Sequence, residues 1–388
     1  MVYYCLTLAT LLSIKYPQII MNFLPVTDES LNQAAQIIRS GGIAAFPTET
    51  VYGLGADAFN PQAIARVFEI KGRPRFDPLI IHIAAVDTLE LVADLSVLNK
   101  KIINKLYLLA ENLWPGPLSI VLPKNEKIPG IATAGLATAA IRFPDHNAAL
   151  KLISLSTGAI AAPSANPFGS LSPTRAEHVR DSLGGKVDII LDGGPARIGL
   201  ESTVLDITDG SFKILRPGGT PKEFIESLIG KLAMNNEQIA KNNEQRTMNS
   251  EQLVIQSEQL SFSTLNSQFS IPSSPGQLKS HYAPKTRLFA LSKEEIIGKP
   301  YENGSVFLFF DGLTRNLWLK AQDQSDILTE NSGIRVLSEA GQVLEAASML
   351  FDVLHELDTG SFSRIYAQFA PDEELGEAIN DRLKRAST

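Results

Sequence analysis

GGIAAFPTETVYGLG, Gly41 to Gly55, decides how the chain is read. An apolar strand ends at Pro47, the polar run Thr48, Glu49 and Thr50 follows, and glycines allow a tight turn. Hydroxyls at the carboxyl end of a strand lie where α/β proteins bind ligands. The same residues also suit the N-cap of a short helix. This segment alone leaves both readings open.

Outward from it, between about residues 22 and 230, short apolar runs alternate with helical patterns. LIIHIA, LSIVLP, AAIRFP, GAIAAPS, DIILDGG, STVLDIT and FKILRPG read as further strands. LNQAAQIIRS, PQAIARVFEIK and NKKIINKLYLLAENL read as amphipathic helices. Strands interleaved with helices predict an α/β fold, a sheet covered by helices. Several strands alternate polar and apolar residues, which predicts a mixed rather than wholly parallel sheet.

Residues 231 to 272 break the pattern. NNEQ, NNEQ, NSEQ and QSEQ begin at Asn235, Asn242, Asn249 and Gln256, a spacing of seven without apolar seams. That favours a polar low-complexity linker over a coiled coil. The division predicted is an N-terminal extension (1–24), a catalytic domain (25–230), a linker ending in a lid segment (231–284) and a small α/β domain (285–388). In the last, TRLFAL and GSVFLFF read as strands. SEAGQVLEAASMLFDVLHELD reads as a helix with Val343, Ala346, Ala347, Leu350 and Leu354 on one face.

Composition narrows the function. The 388-residue chain is 44% hydrophobic and 20% charged with a net charge of −7, which argues against a broad non-specific grip on nucleic acid. Its lone cysteine, Cys5, excludes an intrachain disulfide framework and fits a cytoplasmic location. The five histidines have no ligand spacing, so no protein metal site is expected. The apolar start lacks a leading basic residue and a small-x-small cleavage site, and it is short for a membrane span. Met21 is an alternative start to Met1. No membrane association is predicted.

The chemistry gathers at strand ends. In KGRPRFDPLIIH, Lys71, Arg73 and Arg75 crowd around Gly72 and Pro74, and cations this close repel one another unless an anion lies among them. A helix C-terminus would account for Lys71 but not for the proline-stiffened RPR. Arginine forks suit phosphate. In ATAAIRFPDH, Thr138 and Arg142 fall on one strand face, and a core-facing arginine needs an anionic partner, either a ligand carboxylate or an internal aspartate. AAPSANPFGSLSPT offers Ser164 and Ser172 for phosphate or ribose, though plain turn chemistry would also use them. ESTVLD around Ser202 and ILRPGG around Arg216 add further polar residues. The balance read here is several cations, many hydroxyls and few carboxylates, which suits a polyphosphate. P-loop, GxSxG and kinase signatures are absent from the sequence.

These segments, in this order, resemble the YrdC family in its two-domain form. PTETVYGLG, KGRPRFDPLIIH, LWPGPLS, AIRFPDH, APSAN with SPT, STVLD and LRPG carry the resemblance, followed by SPGQLKSHYAP and the C-terminal AINDRL stretch. It implies a twisted mixed sheet with helices on both faces and a small Rossmann-like C-terminal domain. It implies a nucleotidyltransferase reaction: L-threonine, bicarbonate and ATP give L-threonylcarbamoyl-AMP and pyrophosphate. Magnesium would accompany ATP. The product would pass to a downstream threonylcarbamoyl transferase that modifies tRNA, so this chain would meet tRNA only indirectly.

Carried over motif by motif, Thr50, His82, Arg142, Ala162 and Ser202 would hold threonine. Arg73, Asp77, Thr138, Ser164, Ser172, Arg216 and Tyr282 would contact ATP, with Lys71 and Arg73 stabilising the phosphates during reaction. Two departures stand out: SPGQLKSHYAP where SPGMxxxHYxP is usual, and Asp77 where asparagine is frequent. The alternatives are a non-catalytic RNA-binding module, and carbamoyl transfer in hydrogenase maturation, whose cysteine zinc motifs are missing here.

Overall fold

The structure, a computed structural model, describes residues 22–233, 282–322, 333–358 and 362–387. The NNEQ repeats and most of the N-terminal extension lie outside them. Thr27 opens α1 (Asp28–Arg39) with a capping box that it shares with Ser30. Asn60 caps α2 (Pro61–Lys71), and Pro61 fills the first turn, where its missing N–H costs nothing. Gly72 ends that helix at φ 62°, the left-handed conformation a C-cap glycine takes without strain.

The first domain is built on a ten-stranded mixed sheet among the described residues. Its strands are β1 (Phe23–Pro25), β2 (Ala44–Phe46), β3 (Gly53–Asp57), β4 (Ile80–Ile83), β5 (Leu118–Pro123), β6 (Thr138–Arg142), β7 (Ala159–Ala161), β8 (Ile189–Asp192), β9 (Thr203–Asp206) and β10 (Lys213–Arg216). They lie in the order β1-β8-β2-β3-β7-β4-β6-β5-β9-β10. β4 runs parallel to β6, while β5 runs antiparallel to it and parallel to β9. Helices cover both faces. Leu31, Ala34 and Ile38 of α1 pack with Ala149 and Ile153 of α4 (Asn147–Leu155) on one side. On the other, α2, α3 (Lys100–Leu113), α5 (Ala176–Leu183) and α6 (Lys222–Ile229) enclose the largest apolar core.

The second domain has a four-stranded, wholly parallel sheet in the order β11 (Arg287–Leu291), β14 (Arg364–Gln368), β12 (Ser305–Asp311), β13 (Ile334–Ser338). Its helices are α7 (Lys293–Gly298), α8 (Gly312–Ala321), α9 (Val343–Asp358) and α10 (Gly376–Ala386). Ala346, Ala347, Leu350 and Leu354 of α9 are buried as the periodicity predicts. Their cluster takes in Val51, Leu171, Ile198 and Leu200 of the first domain, so the two domains share one apolar seam. Arg175 pairs with Asp352 at 2.6 Å beside it, and the His178 and His355 rings stack with centroids 3.9 Å apart.

Three details differ from the sequence reading. β1 begins at Phe23 and pairs with β8, so the first domain starts inside the stretch assigned to the extension. GLGAD, read as a glycine turn, forms β3 antiparallel to β2. Thr48 to Thr50 therefore caps no helix; it lies in the connection of a hairpin. The helices α4, α5 and α6, eight or nine residues each, are not among the stretches that read as helices in the sequence.

Candidate active site

Strand register builds one wall of the site. Arg142 of β6 lies opposite Ser119 of β5 on one side and His82 of β4 on the other. Side chains directly opposite on neighbouring strands share a face, so a hydroxyl, a guanidinium and an imidazole stand in one row. Ser119 Oγ meets Ser202 Oγ at 2.7 Å, extending the row to the residue that precedes β9. Arg216, at the end of β10, donates from Nη2 to the Ser202 carbonyl at 2.8 Å. The chain then turns so closely over β9 that a Cβ on Gly218 would lie 2.3 Å from the Glu201 carbonyl oxygen. Only glycine fits that crossing.

The cavity in front of this wall is lined by Thr48, Val51, Arg73, His82, Arg142, Ala162, Ser164, Glu201, Ser202, Arg216 and Tyr282, among others. It leaves about 50 Å³ of free space. Among the lining residues, Tyr282 comes from beyond the first domain; it is buried, at φ 66°, with its ring 5.8 Å from that of Phe351 on α9.

Arg142 is 4% exposed, and its Nη2 lies 2.7 Å from Glu49 Oε2. The contact is one of charge rather than an aligned hydrogen bond. Neither Glu49 carboxylate oxygen accepts a hydrogen bond among the described residues, and Arg142 Nε and Nη2 donate none. Buried groups in this state are where a polar ligand gains most. His82 beside them is neutral: burial, reinforced by the Arg142 charge, pushes its imidazole down from 6.5 to about 3.

The Arg73 end of the cavity is more heavily paired. Arg73 Nη2 lies 2.9 Å from Asp77 Oδ2, and its Nε and Nη2 also donate to the Asp77 and Pro78 carbonyls. Burial lifts the Asp77 carboxyl above its usual range against the pull of Arg73. Lys71 Nζ donates to the Ser164 carbonyl at 2.6 Å and to that of Asn166. Burial, with Arg73 nearby, holds its ammonium well below the ordinary lysine range. Glu201 accepts from Ser172 Oγ and from Arg382 Nε. Burial opposes its charge, but Arg382 and Arg216 outweigh burial and keep the carboxyl low.

The residues singled out in the sequence fall into three groups. Arg73, His82, Arg142, Ala162, Ser164, Ser202, Arg216 and Tyr282 meet on the cavity wall. Lys71, Asp77, Thr50 and Ser172 stand behind it, each bonded to the wall or its supports; Thr50 does so through Thr48, 2.8 Å away. Thr138 lies at the far end of β6, roughly 13 Å along the strand from Arg142 at about 3.3 Å per residue, and is not among the lining residues. Arg75 is exposed and belongs to the surface. The expectation of few carboxylates is corrected, because Glu49, Asp77 and Glu201 are all buried here. Glu49 and Glu201 each flank a residue already singled out, and the internal acid beside Arg142 is Glu49 rather than an aspartate.

Residues 36–218 match the Sua5/YciO/YrdC family described as "Telomere recombination", and residues 229–388 match the threonylcarbamoyl-AMP synthase C-terminal domain. The threonylcarbamoyl-AMP synthase of Pyrococcus abyssi is 37% identical over 91% of this chain and 93% of its own length. The chain belongs to the threonylcarbamoyl-AMP synthase family. The Bacillus subtilis member is 36% identical over 94% of this chain and 96% of its own. The crystal structure of P. abyssi Sua5 complexed with L-threonine superposes with a TM-score of 0.72 at 34% identity, covering 95% of this chain and 97% of that one. As a family member the chain spans nearly the full length of these relatives, both domains included.

Proposed function

We propose that the chain synthesises L-threonylcarbamoyl-AMP from L-threonine, bicarbonate and ATP, releasing pyrophosphate. The observation that carries this is Arg142: a buried guanidinium with open donors, set beside His82 and Ser202 and opening onto the same cavity as Arg73 and Arg216. One cation suits an amino-acid carboxylate, and the others suit phosphates. The relatives' shared name and the threonine complex of the P. abyssi protein support the same reading.

Arg142 would pair with the threonine carboxylate, with Ser202 and the neutral His82 around the rest of the molecule. The neutral amine of threonine and bicarbonate give a carbamate and water. A carbamate oxygen then attacks the α-phosphorus of ATP in line, and the bond to the β-phosphate oxygen breaks with loss of pyrophosphate. The protein's share is orientation and charge: Arg73 and Arg216 face the phosphates, while Lys71 fixes the Ser164–Asn166 backbone behind them. Magnesium would supply further charge neutralisation on the triphosphate. The nearby carboxylates Asp77 and Glu201 are engaged by Arg73 and Arg382, which suits an ion held by phosphates and water rather than by a protein cage.

The product would be consumed by a separate transferase acting on tRNA, in the cytoplasm. Among the described residues no helix is long and apolar enough to cross a membrane. The test is pyrophosphate release measured with each substrate omitted in turn. Dependence on both threonine and bicarbonate is expected; equal release without threonine overturns the reading.

A further inference from the structure

Arg382, a side chain of the second domain, bonds to the lining of the cavity. Arg382 sits on α10 among the buried positions Ala378, Ile379, Leu383 and Ala386, and is itself 1% exposed. Its Nε donates to Glu201 Oε2 at 2.8 Å, and its Nη1 to the Pro217 carbonyl at 2.9 Å. Its guanidinium carbon lies 5.0 Å from the centroid of the Tyr282 ring. Glu201 and Tyr282 both line the cavity, and Pro217 follows Arg216 directly. A helix of the C-terminal domain thus touches three parts of the nucleotide side at once.

A buried ion pair is weak grounds for a stability role, since packed apolar side chains do as well. What the pair does here is electrostatic. Glu201 brings a negative charge to a cavity whose other charged lining residues at this end, Arg73 and Arg216, are cations. Left alone it would repel a triphosphate, and a carboxylate this buried is poorly screened by solvent. We propose that Arg382 is a positioning residue for ATP binding: it masks the Glu201 charge and fixes that carboxylate on Ser172, so that nucleotide affinity depends on the C-terminal domain. Asp381, which Arg382 Nη1 also meets at 2.8 Å, is engaged on both oxygens by Arg385 Nε at 3.0 Å, while Arg382 Nε goes to Glu201.

This rests on the proposed function for the identity of the nucleotide, and binding separates the two. Affinities for a non-hydrolysable ATP analogue and for L-threonine are measured by calorimetry on the full chain, with thermal melts to confirm folding. Arg382→Met is expected to weaken the analogue roughly tenfold or more, the worth of about one unmasked charge, and threonine less than about threefold. Arg382→Lys, which keeps the charge, is expected to retain most of the nucleotide affinity. Adding Glu201→Gln to Arg382→Met removes the charge that needed masking and is expected to restore it. Equal weakening of both ligands, or a double variant as poor as Arg382→Met, overturns the proposal. A wild type that binds both ligands without releasing pyrophosphate overturns the function and leaves the role of Arg382 standing.

Discussion

Arg142 and Glu49 face each other across 2.7 Å in the interior, with oxygens and nitrogens still open. The pair answers the question that a core-facing arginine poses, since an internal acid compensates its charge. It also leaves donors for a second carboxylate, because a guanidinium has more N–H groups than one glutamate engages. Replacing Arg142 with alanine should therefore cost threonine far more than ATP. A charge-assisted hydrogen bond is worth about 1.5–3 kcal/mol, which corresponds to roughly ten- to 150-fold in threonine Kd. Titration of each ligand separately checks this, and equal losses for the two would contradict the division of roles. The stability loss from stranding Glu49 should be reduced in Arg142→Met/Glu49→Gln, without recovery of threonine binding.

His82 gives a pH signature. An unfolded histidine titrates near pH 6.5, whereas burial holds this one down to about 3 in the fold. Between those values the unfolded chain binds a proton that the folded chain refuses. Stability is full above pH 6.5 and falls as pH drops toward 3, by about 1.4 kcal/mol per pH unit for this one group. His82→Gln should flatten that slope by one proton's worth. Urea melts at a series of pH values between 7 and 4 measure it; an unchanged slope would show that the imidazole is not held neutral. His146, His178 and His355 are also lowered by burial, so a residual slope is expected in the variant.

How far the sequence reaches is visible in these two residues. Arg142 was legible because strand alternation assigns a face without knowledge of the partner strands, and His82 through the motif it shares with the family. Their adjacency was not, because β4 and β6 are joined only through a register that spans sixty residues of chain. Glu49 gives no such signal, since a carboxylate beside hydroxyls looks like a turn until its arginine is placed. Arg382 was harder still. It reads as one polar residue on a short amphipathic helix, and only the docking of the second domain brings it to Glu201. β1 and β3 were missed for a local reason: three residues, or a glycine-rich five, carry too little alternation to register as strands.

Gly218 tests the backbone crossing that sets Arg216 beside Ser202. A methyl group there would lie 2.3 Å from the Glu201 carbonyl oxygen and 2.4 Å from the Ser202 carbonyl carbon, both backbone atoms. Neither can yield as a flexible side chain would. Gly218→Ala should lower stability by about 1–3 kcal/mol, the usual cost of overpacking. It should also weaken threonine and ATP together, because the strand it displaces carries residues facing each. A thermal melt with parallel binding assays decides it. A variant of wild-type stability would mean that the 216–219 turn is free to move.

Asp77 stands where asparagine is frequent in the family the chain resembles, and the structure says what that exchange does. Its carboxylate lies 2.9 Å from Arg73 Nη2 with both groups buried, so much of the Arg73 charge is spent inside the protein. Asparagine would keep the shape and a hydrogen-bond acceptor while returning that charge to the cavity. Asp77→Asn is therefore expected to tighten ATP, lowering its KM by roughly two- to tenfold, up to about 1.4 kcal/mol. Threonine, whose proposed place is the Arg142 end, should change little. Asp77→Ala makes the contrast, because it removes the acceptor as well and strands Arg73, at about 3–5 kcal/mol of stability. If Asp77→Asn instead raises the KM for ATP, the carboxylate itself is needed to aim Arg73, and geometry outweighs charge at that end of the cavity.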